Sequence, residues 1–391
     1  MKTLLGSLIT SMSGNLGGHT ASSGKGGSKL RVRRIQKKSE TYLQMLIRSR
    51  VLAISREWKF LSQAIRDSYN SVRIGHESTY DAYRRINFDD RGLTWRNMGA
   101  VGAETYIYGI KYMTNGIVLA GSRLHGKILR SADYGMSWTD LGQQFAQLAI
   151  YCFAYVGNGI CLAGTSTGGL LLRSVNYGLT WSSIGIMDGA QTVWCLLQTK
   201  TGVSLLGTGT NGKIRRSVDG GLTWSTVFTA AGFQFIHSFC ELNNGHILAS
   251  TSGGGRILKS TDNGLTWSQI ATLAGTTAIY GLDASPIDQT IIAACGNGHV
   301  FNSYDLGVSW KDLGLLPAQT LLYCALWLSN EKLLIGSLPG GAVWRSVDKG
   351  KTFVSSGNLF GVDGVLALEK IGSTICLAGC RSTGLILRST I

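Results

Sequence analysis

A chain of 391 residues with 44% apolar and 15% charged residues is long enough to bury a sizeable core and too apolar to be a disordered chain. Its 53 Gly against 3 Pro point to a body full of tight turns. The net charge of +15 is uneven: residues 1–86 hold sixteen Lys and Arg against five Asp and Glu, and residues 87–391 hold twenty-one against seventeen, so an acidic partner belongs with the N-terminal segment.

The eight Cys form no CxxC pair and no Cys/His cluster with zinc spacing, so no metal and no other cofactor is expected. Cys152, Cys195 and Cys324 share one position of the repeat described below, and Cys161 and Cys376 another. Each lies in an apolar run, the setting of a reduced, buried thiol folded in a reducing compartment. Met1 to Ser11 turns polar after a brief LLGSLIT run, and Leu148 to Val156 falls far short of the ~20 residues that span a bilayer. Neither an export signal nor a membrane segment is expected.

Along the chain, Ser11 to Arg34 reads SMSGNLGGHTASSGKGGSKLRVRR, which predicts an extended basic arm or a loose hairpin. Leu43, Leu46, Ile47 and Ile54 then keep helical spacing, as do Trp58, Leu61, Ile65 and Tyr69. An arm with two helices buries too little apolar surface to stand alone, so residues 1–86 are expected to form a basic arm and α-helical anchor packed on a partner. The layout of Gly17-Gly18, Gly26-Gly27, the Arg31 to Arg34 cluster and then Trp58, Leu61, Arg66 and Tyr69 resembles an N-terminal module of virion proteins of tailed bacteriophages. That resemblance implies attachment to other virion proteins in multiple copies, with Arg31, Arg33, Arg34, Lys37, Lys38 and Trp58 as anchor residues. Nucleic acid is a weaker alternative partner for the same basic cluster, since such clusters neutralise phosphates.

Past residue 87 the sequence repeats. The stretch SVDGGLTW from Ser217 recurs as SADYGMSW from Ser131, SVNYGLTW from Ser174, STDNGLTW from Ser260, SYDLGVSW from Ser303 and SVDKGKTF from Ser346, with a degenerate FDDRGLTW from Phe88. The third position gives Asp90, Asp133, Asn176, Asp219, Asp262, Asp305 and Asp348, each 43 residues from the next. So strict a period belongs to architecture, because one loop doing chemistry has no reason to be copied. Each unit shows four strand-like runs, in one case Met136 to Leu141, Ala149 to Tyr155, Ile160 to Gly164 and Leu170 to Ser174. The expected fold is therefore all-β, a seven-bladed β-propeller over residues 87–391. An isolated outer strand, Leu93 to Met98, would close the ring by joining three C-terminal strands.

Within each box the acid accepts hydrogen bonds from amides of its own turn, Asn176 doing so through its amide oxygen. The Gly two positions on takes a positive φ. Trp95, Trp138, Trp181, Trp224, Trp267, Trp310 or Phe353 then wedges between neighbouring blades. The box resembles the Asp-box, or bacterial neuraminidase repeat, of sialidases and of many propellers that are not enzymes. The resemblance covers residues 88–391 and implies structural turns away from any catalytic face.

Sialidases of that kind clamp a carboxylate with three arginines, use a Tyr/Glu pair and an Asp, and carry an Arg-Ile-Pro motif, which does not occur here. The innermost-strand runs Tyr106 to Tyr112 and Thr192 to Leu197 hold no arginine, and acids outside the boxes are scattered, whereas glycoside hydrolysis uses two flanking carboxyls. No catalytic residue and no enzyme are expected. The run GTGTNGK from Gly207 fits G-x-G-x-x-G, but Ile214 stands where a phosphate loop needs Ser or Thr, and its last Gly recurs through the repeats as a blade turn.

One position of the innermost strand is aromatic: Tyr108, Tyr151, Trp194, His237, Tyr280 and Tyr323, with Leu366 in the last copy. The next position is small: Gly109, Cys152, Cys195, Ser238, Gly281, Cys324 and Ala367. Either each ring rests on the small residue of the neighbouring blade, or the rings reach the central channel, where they can stack on sugars. A basic ring of Arg130, Arg173, Arg216, Lys259, Arg345 and Arg388, broken by Asn302, precedes the boxes and is expected to be solvated or weakly paired. A docking surface for an acidic partner is the alternative. The sequence thus points to a non-enzymatic structural protein of a bacteriophage virion, assembled in the host cytoplasm, with a tail or collar location and a propeller that contacts protein or a host surface glycan. The alternatives are a head-associated protein, a carbohydrate-binding module and a sialidase-like glycosidase.

Overall fold

The structure is a computed structural model that describes residues 19–20, 31–32, 95–100 and 104–390, except 167, 188, 190, 191, 210, 211, 231, 233, 234, 330 and 374. The chain divides into two compact units, Met1–Glu57 and Trp58–Ile391. In the first, His19–Thr20 pairs antiparallel with Arg31–Val32. The expected helices, the boundary at residues 86 and 87, the side chain of Arg31, the anchor residues Arg33, Arg34, Lys37, Lys38 and Trp58, and Asp90 lie outside the described residues.

In the second unit every regular element among the described residues is a β-strand paired antiparallel. Five sheets have four strands each, running outward in chain order, as in Ile150–Gly157, Ile160–Thr165, Leu170–Ser174 and Ser182–Ile186. The remaining eight strands form two four-stranded arrays joined by one residue pair, Arg381 opposite Tyr106. One array runs outward from Tyr106–Tyr112. The other takes Trp95–Ala100 as its outer strand against Leu385–Thr390, followed by Ile375–Arg381 and Gly364–Ile371. The outer strand spans Trp95–Ala100, against the expected Leu93 to Met98, and residues 93 and 94 lie outside the described ones. The innermost strands touch one another in chain order, and Gly364–Ile371 touches Tyr106–Tyr112, so the sheets surround a common axis.

Burial explains the local composition. The second strands, such as Ser204–Thr208, Ile247–Thr251 and Ile291–Cys295, are buried along their whole length because a neighbouring sheet covers each face, and they read as apolar runs without alternation. The fourth strands, such as Ser225–Thr229 and Ser268–Thr272, are mostly solvated and polar.

Each of the six described boxes is the turn from third to fourth strand. In the copy starting at Ser217, the Ser217 hydroxyl donates to Asp219 Oδ1 at 2.7 Å and accepts the Gly221 amide at 3.0 Å, while the Leu222 and Thr223 amides donate to the same carboxylate. Desolvation pushes Asp219 up, but the hydroxyls of Thr223 and Ser217 and the turn amides outweigh it and hold the carboxyl at about 2. Asp133, Asp262, Asp305 and Asp348 accept their own serine hydroxyls at 2.7 to 2.8 Å. Asn176 accepts from Ser174 through Oδ1, and its Nδ2 donates to Thr180 Oγ1 at 2.9 Å, reversing the direction of that last bond. Trp181, Trp224, Trp267 and Trp310 each donate Nε1 to the carbonyl of their own box glycine. These rings, with Trp95, Trp138 and Phe353, pack on apolar clusters that combine adjacent sheets.

The basic ring corrects its expected role. The residue after each box acid has a left-handed backbone, φ 61° at Tyr134, 57° at Tyr177, 72° at Gly220, 59° at Asn263 and 61° at Leu306. Its carbonyl accepts a hydrogen bond from a cation of the preceding sheet: Arg388, Arg130, Arg173, Arg216 and Lys259 respectively, at 3.0 to 3.2 Å. These cations are therefore structural staples, and the partner lies one repeat plus four residues away, beyond the reach of a reading confined to one unit. Asn302 breaks the series by donating to Tyr304, and Lys349 instead reaches Asp288 at 2.7 Å. The turn matching Arg345 lies outside the described residues.

The box glycine is constrained twice. Gly178 has φ +77°, and a Cβ there would stand 2.7 Å from Leu119 Cδ1 of the preceding sheet, whereas Gly142 has φ +79° and open space around it. Both alanine variants carry a left-handed cost of about 1–2 kcal/mol, and Gly178→Ala adds about 1–3 kcal/mol of overpacking. In denaturant titration Gly178→Ala is expected to lower the midpoint further than Gly142→Ala, and equal losses would remove the inter-sheet fit from the account.

Candidate functional site

The site begins with a fault in strand pairing. Every innermost strand skips one residue in its register with the second strand, between Ile107 and Gly109, Ile150 and Cys152, Val193 and Cys195, Ile236 and Ser238, Ile279 and Gly281, Leu322 and Cys324, and Val365 and Ala367. The skipped residues are Tyr108, Tyr151, Trp194, His237, Tyr280, Tyr323 and Leu366. A bulged residue leaves the ladder and its side chain is re-aimed, and these seven line one cavity of about 130 Å³.

The six aromatic rings form a closed collar. Ring centroids lie 4.8 Å apart for Tyr108 and Tyr151, 4.4 Å for Tyr151 and Trp194, 5.2 Å for Trp194 and His237, 4.6 Å for His237 and Tyr280, and 5.2 Å for Tyr280 and Tyr323. Tyr323 meets Tyr108 at 6.0 Å past Leu366, which is buried. The small residues do not receive these rings. A Cβ at Gly109 would stand 2.7 Å from the Tyr151 carbonyl oxygen, and the thiols of Cys152, Cys195 and Cys324 donate to carbonyls of the next innermost strand. The reading in which each ring rests on a neighbour's small residue is thus replaced: rings pack on rings, and small residues admit the adjacent backbone.

Burial lowers His237 to about 4 and raises the phenols of Tyr151, Tyr280 and Tyr323, so these four rings are uncharged at neutral pH. Trp194 Nε1 is buried and has no hydrogen-bond partner among the described residues. Beside the collar, Arg123 Nη1 donates to Tyr108 Oη at 3.1 Å, and its guanidinium lies 5.5 Å from the Tyr106 ring centroid. Arg123 comes from the end of a second strand, where a search of innermost strands for arginine could not find it.

A charged layer lies three residues further along the innermost strands. Lys111, Asp283 and Glu369 share one repeat position, a register signal present in the sequence but not used. Glu369 accepts the Tyr112 amide and Lys111 Nζ, each at 3.0 Å, and Asp283 accepts the Trp327 amide at 2.6 Å and its neighbour Ala284 at 2.9 Å. Burial pushes Asp283 up to about 6 against those two amides and Lys111, with Glu369 adding to the rise. Both carboxylates brace the following innermost strand, so neither is an uncommitted acid or base. Among the described residues no cluster of three His, Cys, Asp or Glu could hold a metal. The third strands run parallel to the innermost ones and end in the boxes, which places the boxes at the end opposite the collar.

No family model matches this chain, and no curated protein sequence matches it. Solved structures do. YCF48 bound to D1 peptide superposes with a TM-score of 0.63 at 13% identity, covering 76% of this chain and 97% of that one. The WD40 β-propeller domain of Doa1 gives 0.59 at 13% identity, covering 76% and 97%. The fold is a β-propeller. Catalytically inactive virginiamycin B lyase from Staphylococcus aureus with quinupristin gives 0.66 at 11% identity, covering 77% and 100%. Propellers this distant share architecture alone.

Two of the perturbed channel groups, Asp283 and His237, oppose each other. Asp283 titrates near 6 folded and 3.8 unfolded, so the folded state holds more protons between those values and stability rises as pH falls. His237 titrates near 4 folded and 6.5 unfolded, so the unfolded state holds more protons and stability falls as pH falls. On acidification from pH 6 to pH 4, His237→Phe is expected to lose less of its thermal midpoint than wild type does, and Asp283→Asn to miss the gain that protonation of Asp283 gives wild type. Parallel profiles for the two variants would contradict this assignment.

Proposed function

We propose that the chain is a non-enzymatic structural protein of a tailed-bacteriophage virion, in its tail or collar region. In this reading residues 1–86 anchor it to other virion proteins, in multiple copies, and a seven-bladed Asp-box propeller is the binding head. The 43-residue period and the repeated box turns support the blade count and the box assignment. The concentration of positive charge in residues 1–86 supports an anchor distinct from the head.

The aromatic collar carries the binding role. A cavity of about 130 Å³ is smaller than the ~300–1,000 Å³ of ordinary small-molecule pockets. It suits one sugar ring or one side chain of a larger partner, held by ring stacking. Among the described residues the cavity lining holds no carboxylate, and the channel acids Asp283 and Glu369 are engaged with backbone amides, which favours binding over glycoside hydrolysis. A host surface glycan or a virion protein fits this role.

Peptide mass spectrometry of purified, nuclease-treated particles of the phage that encodes the chain is expected to recover it at fixed stoichiometry, with antibody label at the tail or neck. Absence from the particles overturns the anchoring half. Particles carrying Trp194→Ala are expected to lose host adsorption or the head's assembly partner, and unchanged particles overturn the binding half.

A further inference from the structure

We propose that one sector of the collar face, between the loops carrying Phe360 and Phe145, docks an acidic peptide segment, with a carboxylate on Arg123 and an apolar side chain beside it. The proposal rests on the reading of the propeller as a binding head and names its ligand.

Strand pairing builds the sector. Arg381, at the end of one second strand, lies opposite Tyr106 at the start of an innermost strand, Tyr106 lies opposite Arg123 at the end of the next second strand, and Arg123 lies opposite Ala149, just before the following innermost strand, a continuous row. Neighbours in such a row stand about 5 Å apart. Both guanidiniums lie over Tyr106, at 5.5 Å for Arg123 and 5.7 Å for Arg381. Arg381 has a counterion in Asp363 at 3.5 Å. Arg123 is exposed and has no carboxylate partner among the described residues, and its bond to the Tyr108 phenol leaves donors free in the planar geometry that fits a carboxylate.

The flanks are apolar and strained. Phe145, Leu148 and Phe360 are 47%, 52% and 50% exposed. Phe145 and Phe360 occupy the same repeat position and hold left-handed backbones, φ 48° and 52°. The other copies of that position from residue 188 onward are Asp188, Ala231, Ala274 and Pro317, so the repeat itself does not call for Phe. A large exposed side chain kept on a costly backbone marks a recognition loop. The Leu148 carbonyl accepts the Gly126 amide, which ties this loop to the turn following Arg123. An unpaired cation calls for an acid, and Phe and Leu flanks, lacking polar partners for sugar hydroxyls, call for the side chain of a peptide.

A random linear peptide library displayed on yeast and selected with the full-length chain tests this. Enriched peptides are expected to carry Asp or Glu beside Phe, Trp or Leu. In fluorescence polarisation their affinity is expected to fall about tenfold or more with Arg123→Gln and to weaken with Phe145→Ser, while Lys351→Gln, on the box face, leaves it unchanged. Peptides without acids, no enrichment, or an equal loss with Lys351→Gln overturns the proposal. So does tighter binding of a uronic-acid oligosaccharide that depends on Arg123, which would assign the site to an acidic sugar. An adsorption or assembly defect in Trp194→Ala particles without any selected peptide sinks this ligand and leaves the binding head standing.

Discussion

The propeller depends on one recurring bond, from a cation of one blade to the carbonyl of a left-handed residue in the box of the next. The box acid gathers the hydroxyls and amides of its own turn, which fixes the residue after it at positive φ. The carbonyl so fixed accepts Arg130, Arg173, Arg216, Lys259 or Arg388 from the blade before. Hydrogen bonds to charged groups contribute about 1.5–3 kcal/mol each where they are shielded, but geometry matters more here than magnitude. The bond ties the conformation of a turn to the placement of a blade, and the box glycine seated against a leucine of the preceding blade sets how near the two can come.

With the blades so placed, the innermost strands hold a fixed circle, and the bulge in each becomes a means of aiming side chains at the axis. A regular strand would send this residue toward the neighbouring blade, where the Gly and Cys positions now admit backbone. The bulge turns it inward, and six aromatic residues close a collar that no single blade could form. Leu366 shows that the position is permissive: it is buried, and Tyr323 and Tyr108 meet across the gap.

The repeat, the four strands of each unit, the closing array and the aromatic position were legible in the sequence because each is a periodic signal strong enough to survive without coordinates. The roles of the collar and basic rings were not. Alternation of strand residues predicts opposite faces for Tyr108 and Gly109, and only the register skip shows that the rule fails there. Arg216 reads as a surface cation within its own unit, and its acceptor at Asn263 belongs to the next. Lys111, Asp283 and Glu369 could have been found by extending the 43-residue register to acids outside the boxes. Arg123 could not, because nothing in its local sequence places it beside Tyr106.

Repeat proteins separate what is copied from what is not, and that separation is itself a guide to recognition. The box face is nearly the same in the six described copies, since each meets the same requirement of holding its neighbour. On the opposite face the equivalents of Arg123 are Ser166, Gly209, Ser252, Cys295, Leu338 and Arg381, so the two arginines fall on adjacent blades and nowhere else in the register. Phe145 and Phe360 flank the same sector. The pairings of this sector, Arg381 opposite Tyr106 and Arg123 opposite Ala149, are made by backbone and do not call for arginine side chains. Its exposed arginine side chain and left-handed aromatic residues answer no requirement that the other blades share, which is why we propose this sector as the place where a partner docks.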